Sequence, residues 1–131
     1  MTSRQNQGES PAPYAFSGLD RVFHERGRLA ICSALIAHAG GLAFTQLQEA
    51  CDLTDGNLNR HLHALAELGI VEMQRITGKG RPQTIVRITR EGRERFLGYI
   101  DELEAVVRDV QRARKRKGSP ARTVPASSTS Q

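Results

Sequence analysis

The chain lacks the segments that would direct it into or across a membrane. No stretch of its 131 residues approaches the run of about 18–20 apolar residues that spans a bilayer. The N-terminal residues MTSRQNQGESPAP contain no apolar core and so do not read as a signal peptide. We therefore expect one cytoplasmic domain with tails and no membrane partner.

Cysteine is also scarce. The two cysteines, Cys32 and Cys51, form neither a CxxC nor a CxC motif, and each stands among apolar neighbours. Reduced, buried thiols are the simplest interpretation. His61 and His63 are two residues apart, which points them in different directions on a helix and makes them a poor chelating pair. We expect no metal site and no cofactor.

Patterns of catalytic residues are missing as well. The four histidines are scattered, and no Ser–His–Asp arrangement or paired carboxylates in a plausible cleft can be recognised. The glycine-rich segment 78–83 has the spacing of neither a Walker motif nor a dinucleotide-binding fingerprint. We do not expect an enzyme.

The positive charge of the chain is concentrated in two places. Residues 20–72 carry four basic and seven acidic side chains, although the net charge of the whole chain is +5. Residues 75–95 carry seven basic and two acidic side chains, and residues 108–122 carry seven basic side chains and one acidic side chain. Such clusters favour a polyanionic partner, although a solvated surface that keeps the protein soluble is the plainer interpretation.

Apolar periodicity predicts two helices before residue 52. The first extends from residue 27 to about 38 and ends at Ala39-Gly40-Gly41. The short segment 42–44 is suited to a β-bridge. Thr45 is placed to cap a second helix, residues 46–51. The buried positions of the two helices would be Leu29, Cys32, Leu35, Ile36, Leu47 and Ala50.

The most informative segment is a predicted third helix, residues 55–68. Thr54 stands at the position of its N-cap, and Gly69 stands where it ends. One face would be apolar, with Leu58, Leu62, Leu65 and either Leu68 or Gly69. The opposite face would be polar, with Asn59, Arg60, His63 and Glu67. Arginine and asparagine can each make two hydrogen bonds to a base edge in the major groove, to guanine and adenine respectively.

A β-hairpin is predicted directly after this helix. Residues 70–77 and 84–88 are rich in β-prone side chains, and the glycine-rich tip 78–83 joins them. The tip leaves Lys79 and Arg81 exposed. These cations are suited to phosphates or the minor groove that flanks the recognition helix.

A long last helix begins near Thr89. Its apolar residues are spaced by 4, 3, 4 and 3, a heptad stripe of about two repeats made of Phe96, Ile100, Leu103, Val107 and Val110. The stripe can pack back onto its own domain, or it can form a two-fold dimer interface, which we favour. Beyond Arg112 the apolar stripe does not continue, and residues 113–131 are basic and then rich in Ser, Thr and Pro.

This order of elements predicts an α+β fold that is mainly α. It is a winged helix-turn-helix with three helices, a two-stranded β-wing and a long C-terminal helix. We expect a flexible segment 1–16, a winged-helix domain with a dimerisation helix at 17–112, and a disordered tail at 113–131.

The chain resembles the winged-helix DNA-binding regulators related to the MarR and ArsR groups. The resemblance covers residues 19–110 and is carried by LDRVFH (19–24), RLAI (28–31), FTQL (44–47), LTDGNLNRHL (53–62), GRPQT (80–84) and ITREGR (88–93). It implies a homodimeric transcriptional regulator. It also places DNA contacts on Asn57, Asn59, Arg60 and His63 of the helix and on Lys79 and Arg81 of the wing, to which we add the capping Thr54. The paired-cysteine metal site of the ArsR group is not carried over, because only Cys51 stands in that region.

These observations predict a homodimer that binds double-stranded DNA at an inverted repeat, with repression the favoured direction of regulation. Two alternatives stay open. A winged helix also serves as a protein-interaction or dimerisation module that does not read bases. A small-molecule effector between the first and last helices is a further possibility, although no polar cluster in the sequence supports it.

Overall fold

The computed structural model describes residue 12, residues 14–78 and residues 80–121, of which 117–121 are described by their backbone alone. The chain forms two compact units: one is Asp20–Ile100, and the other comprises the residues on either side of it. Most of the predicted flexible segment 1–16, residues 122–131 of the predicted tail, and Lys79 lie outside the described residues. The predicted domain limits, 17 and 112, stay predictions. None of the described helices is long and apolar enough to cross a membrane.

The order of helices and strands is that of a winged helix. The elements are a 3-10 helix (Arg21–His24), α1 (Arg26–Ala37), β1 (Leu42–Ala43), α2 (Phe44–Cys51), α3 (Asp55–Glu67), β2 (Val71–Ile76), β3 (Gln83–Ile88) and α4 (Arg90–Ala121). The predicted α+β fold is confirmed. The sheet has one strand more than the predicted two-stranded wing.

The three strands form an antiparallel sheet with β3 in the centre. In the wing, β2 pairs with β3 from Val71 opposite Ile88 to Ile76 opposite Gln83. The short β1 adds to the other edge of β3, with Ala43 opposite Ile85. The bridge predicted near residue 42 is therefore present, and it joins the start of α2 to the base of the wing.

The core of the unit Asp20–Ile100 is built from one face of each helix and from β3. Its fully buried side chains are Phe23, Ile31, Cys32, Leu35, Leu47, Leu58, Leu62, Leu65, Ile70 and Val86. An aromatic cluster closes one end, where the ring of Phe23 lies 5.1 Å from that of Phe96 and 5.4 Å from that of Tyr99. Such edge-on and tilted pairs add to the free energy gained from apolar burial.

Both ends of α3 are capped as the sequence predicts. The side-chain oxygen of Thr54 accepts a hydrogen bond of 3.1 Å from the backbone N–H of Asn57. At the other end Gly69 has a φ of 76°, and the N–H of Ile70 donates to the carbonyl of Leu65. This is a Schellman motif, which favours glycine in the left-handed conformation. Leu68, one of the two alternatives for the apolar face, is instead 48% exposed.

Two predicted helix ends are wrong. Helix α2 begins at Phe44 rather than Gln46, so Thr45 lies inside the helix and does not cap it. The cap is made by Gln46 instead, because its side-chain oxygen accepts a hydrogen bond of 2.9 Å from the N–H of Ala43. Helix α4 continues to Ala121, into the segment 113–131 that was predicted to be a disordered tail. The apolar stripe ends at Val110, but Arg, Lys and Ala are strong helix formers and sustain the helix as far as Lys117.

Thr89 and Gly92 fasten the start of α4 to the end of α3. The Thr89 hydroxyl donates to the carbonyl of Gly69 at 2.6 Å and accepts from the N–H of Gly92 at 2.8 Å. Gly92 is buried, and a Cβ atom at this position would lie 2.1 Å from the carbonyl oxygen of Ile70. The close contact between the backbones of α4 and the chain after α3 therefore requires glycine.

The variant Gly92→Ala is expected to destabilise the protein, because the added methyl group would displace a backbone. We expect the free energy of unfolding to fall by about 1–3 kcal/mol, as for other overpacked sites. Gly98→Ala in the same helix is the matched control, since a Cβ there meets nothing within 4 Å. Alanine is the better helix former, so the control should be neutral or stabilising. Urea denaturation measures the stability of both variants. Equal stabilities would contradict the close contact between Gly92 and the backbone of Ile70.

Candidate nucleic-acid interface

The outward face of α3 is polar and open to solvent. Leu58, Leu62 and Leu65 are fully buried on the inner face. The side chains predicted to contact DNA are exposed, namely Thr54, Asn57, Asn59, Arg60 and His63. The helix therefore separates a face that packs from a face that is free to bind, as a recognition helix requires.

His63 is oriented by its own helix. Its Nδ1 atom lies 2.9 Å from the backbone carbonyl of Asn59, and because a carbonyl can only accept, Nδ1 carries the hydrogen. In the neutral ring, Nε2 is then an acceptor that is not used by this bond. Such a group can accept a hydrogen bond from an exocyclic amino group of adenine or cytosine.

His61 is the one buried polar side chain of the core among the described residues, with 4% exposure. Arg28 donates a hydrogen bond of 3.2 Å from Nε to Nδ1 of His61. Gly27 makes room for the ring, because a Cβ there would lie 2.5 Å from Nε2. Helices α1 and α3 therefore approach each other closely at this point, which sets the position of the recognition helix.

A small group of charges surrounds His61. Glu25 lies 3.7 Å from its Nδ1, 3.8 Å from Arg28 and 3.9 Å from Arg60. Burial lowers the pKa of His61, and the positive charges of Arg60 and Arg28 add to this effect, while Glu25 opposes it. The ring is therefore neutral at pH 7, and its Nδ1 atom can accept the hydrogen bond from Arg28.

This lowered pKa predicts a loss of stability in acid. The folded protein resists protonation of His61, whereas the unfolded chain takes up the proton near the ordinary value of 6.5. The unfolded state then binds more protons, so the free energy of unfolding falls as the pH drops through 6.5. Denaturation at pH 7.5 and 5.5 measures this difference. The variant His61→Gln should show a smaller difference in the free energy of unfolding between the two pH values, whereas the exposed control His63→Gln should show the wild-type difference. If His61→Gln also shows the wild-type difference, His61 is not the group responsible.

Arg60 lies at the border between this group and the solvent. Its side chain is 58% exposed, and the nearest carboxylate, that of Glu25, is half exposed. An ion pair in such a position contributes little to stability. Arg60 can therefore exchange Glu25 for a DNA base or phosphate at small energetic cost.

The wing brings Arg81 close to the start of α2. Arg81 is exposed, and it lines an open groove with Pro82, Gln83, Thr84 and Ala43-Phe44-Thr45. Lys79 lies outside the described residues. Thr45 is exposed in this groove, and the sequence pattern did not identify it as a site residue, because only the pairing of β1 with β3 brings it near the wing.

The residues of the predicted dimerisation stripe have different surroundings. In the unit Asp20–Ile100, Phe96 is 3% exposed and packs against Phe23 and Tyr99, while Ile100 is partly buried. In the other unit, Leu103 is partly buried, and Val107 and Val110 are 48% and 57% exposed. Phe96 therefore packs within its own chain, and the exposed part of the predicted stripe lies at Val107 and Val110.

Neither thiol is activated. Burial raises the pKa of Cys32 to about 12, with a further contribution from Cys51, and burial also raises the pKa of Cys51. Both are therefore protonated thiols at neutral pH, which are poor nucleophiles and poor metal ligands. Within the described residues, no group of three or more His, Cys, Asp or Glu side chains is arranged to hold a metal ion.

A DNA-binding winged helix is the class that this fold and this polar helix face define. The sequence profile of the family described as "Winged helix DNA-binding domain" matches residues 28–107. The match begins within α1, covers α2, α3 and the wing, and ends within α4, and the chain belongs to this family.

The chain is also similar to individual proteins. The uncharacterized protein MJ0432 of Methanocaldococcus jannaschii is 43% identical over 68 residues, which are 52% of this chain and 74% of that protein. The structure of a transcriptional regulator homologue from Pyrococcus horikoshii OT3 has a TM-score of 0.66 and 31% identity, over 70% of this chain and 89% of that one.

A structure of lower sequence identity shares the fold. A MarR-family transcriptional regulator from Silicibacter pomeroyi has a TM-score of 0.52 and 19% identity, over 90% of this chain and 70% of that one. The fold is therefore shared with transcriptional regulators of the MarR family, as the resemblance in the sequence predicts.

Proposed function

We propose that the protein is a transcriptional repressor that acts in the cytoplasm as a homodimer and binds an inverted repeat in double-stranded DNA. Helix α3 enters the major groove, and the wing lies on the flanking minor groove or backbone. The observation that carries the proposal is the exposed polar face of α3, with Asn59, Arg60 and His63 opposite three fully buried leucines.

The individual contacts follow from the chemistry of the side chains. Arg60 is suited to the O6 and N7 atoms of guanine, and Asn59 to the N6 and N7 atoms of adenine. Thr54 and Asn57 stand at the N-terminus of α3, where the backbone N–H groups favour a phosphate. Arg81 and Lys79 would contribute affinity that depends on salt and little specificity.

A dimer defines the shape of the target. Two copies related by a two-fold axis place their recognition helices about 34 Å apart, which is one turn of DNA, so the half-sites are inverted. Such a dimer covers two successive major grooves on one side of the duplex. Repression follows because this occupancy excludes other proteins from the same DNA. We propose no catalytic activity and no cofactor for this function.

Selection from a pool of random-sequence duplexes tests the proposal. Wild type and the double variant Arg60→Ala, Arg81→Ala are each bound to the pool at two salt concentrations, and the retained DNA is sequenced. We expect wild type to enrich an inverted repeat at both concentrations. The double variant should enrich none, because it lacks a base contact and a backbone contact.

One outcome would favour the protein-interaction alternative. If wild type enriches no sequence and its weak binding disappears as salt rises, α3 does not read bases, and the proposed function fails. Enrichment of a single, unrepeated half-site would retain DNA recognition but overturn the homodimer.

A further inference from the structure

The C-terminal part of α4 carries cations that the recognition surface does not use. Arg108, Arg112, Lys115 and Arg116 are spaced i, i+4, i+7 and i+8, so at 100° per residue they fall within about 100° of the helix circumference. They extend along about 12 Å of the helix axis. We call these four residues the cationic stripe.

The stripe is exposed and almost free of counter-charges. All four side chains are exposed. Arg112 pairs with Asp109 at 2.5 Å, whereas the other three form no ion pair with any described residue. An open hollow on this surface is lined by Arg108, Gln111, Arg112, Arg114 and Lys115, without any carboxylate. An uncompensated group of cations of this density attracts a polyanion.

The apolar residues of α4 lie on roughly the opposite side of the helix. They come before the stripe or beside its first residues, and are Leu103, Val107 and Val110. Between Val110 and residue 116 the only apolar side chain is that of Ala113. A helix that lies in a membrane surface needs large apolar side chains beside its cations. Beyond Val110 the helix itself offers none, although Tyr14, Phe16 and Val110 line a hollow together with Arg112 and Arg116. DNA is the favoured anionic partner because the chain belongs to a DNA-binding family.

We propose that the cationic stripe is a second DNA-binding surface, which contacts the phosphate backbone of a duplex without reading its sequence. One DNA strand carries a phosphate for each 3.4 Å of axis, so about 12 Å of stripe can follow three or four successive phosphates. Three of the four cations are arginines, which bind phosphate oxygens with two parallel hydrogen bonds. This surface goes beyond the proposed recognition of bases by α3.

The test is the salt dependence of binding to a mixed-sequence 30-base-pair duplex. The stripe variant is R108Q/R112Q/K115Q/R116Q in the full chain. Each neutralised phosphate contact contributes about 0.9 to the slope of log affinity against log salt concentration, so four contacts contribute about 3–4 for each protomer. We expect the stripe variant to lose a slope of that size. Glutamine is a good helix former, and unchanged circular dichroism will show that α4 persists.

A matched control separates the stripe from net charge. The variants R108Q/R116Q and R21Q/R26Q each remove two exposed arginines, the first pair from the stripe and the second pair from outside the basic segment 75–95. The slope should change much less in R21Q/R26Q than in R108Q/R116Q. Equal changes in the two variants would overturn the proposal, because they would show a general charge effect.

Two further measurements complete the design. Vesicles that contain phosphatidylserine test whether the stripe binds an anionic membrane instead of DNA. If the stripe variant loses vesicle binding but keeps the salt slope of wild type on DNA, the stripe binds membranes and the proposal is overturned. The variant N59A/R60A should retain the salt slope of the stripe and lose preference for a selected sequence. If wild type selects no sequence, the proposed function fails, while the slope on mixed-sequence DNA still decides the role of the stripe.

Discussion

Arg60→Ala is expected to weaken binding to the selected inverted repeat by roughly 30-fold or more. A bidentate contact between arginine and guanine discriminates by about 1–3 kcal/mol, and a symmetric dimer loses it in both half-sites. Two such losses add to about 2–6 kcal/mol when the half-sites are independent. The structure favours this large effect because Arg60 is exposed and its ion pair with Glu25 is weak.

The measurement is titration of the selected duplex and of the same duplex with single base pairs changed. Arg60→Ala should bind the original and one of the changed duplexes equally well, which identifies the base pair that Arg60 reads. Arg21→Ala is the matched control, since it removes an exposed arginine from the 3-10 helix of the same unit. A uniform loss for all duplexes would assign Arg60 to a phosphate instead of a base.

The double variant Val107→Asp, Val110→Asp is expected to convert the proposed dimer into monomers. Two-fold symmetry places four new carboxylates in one interface, and each buried, unpaired charge is unfavourable by several kcal/mol. Binding to the inverted repeat should fall to that of a single half-site. The protomer itself should remain folded, because both valines are about half exposed.

Sedimentation equilibrium and thermal unfolding measure the two consequences separately. Val107→Thr, Val110→Thr is the control, since threonine has the shape of valine without a charge, and it should weaken the dimer only in part. A wild-type monomer at micromolar concentration would contradict the proposed interface. So would an aspartate variant that remains a dimer.

Local patterns were sufficient to predict α3 and its caps. Thr54, the leucines and Gly69 all lie within one segment, and hydrogen bonds between near neighbours decide their roles. The prediction of the wing was equally local, because glycines and β-prone residues mark a hairpin. His61 was not among the residues predicted to contact DNA, and the structure buries it against Gly27 and Arg28.

What the patterns missed depends on contacts between distant residues or on side chains without periodicity. The place of Thr45 beside Arg81 follows from pairing of residues 42–43 with 85–86, which no local spacing indicates. The Gln46 cap was missed because threonine is the commoner cap. The extension of α4 was missed because helix propensity, unlike burial, leaves no apolar period. The sequence favoured a dimer contact for Phe96 over packing within the domain, because Phe23, its neighbour in the structure, is remote in sequence.

The pairing of β1 with β3 has a consequence for the entropy of DNA binding. It joins the first residue of α2 to the base of the wing through the backbone, with Ala43 opposite Ile85 and Leu42 opposite Val86. The two sides of the groove at Thr45 and Arg81 are therefore held in a common framework before any ligand arrives. Their conformational freedom is lost when the chain folds, so less of it remains to be lost on binding.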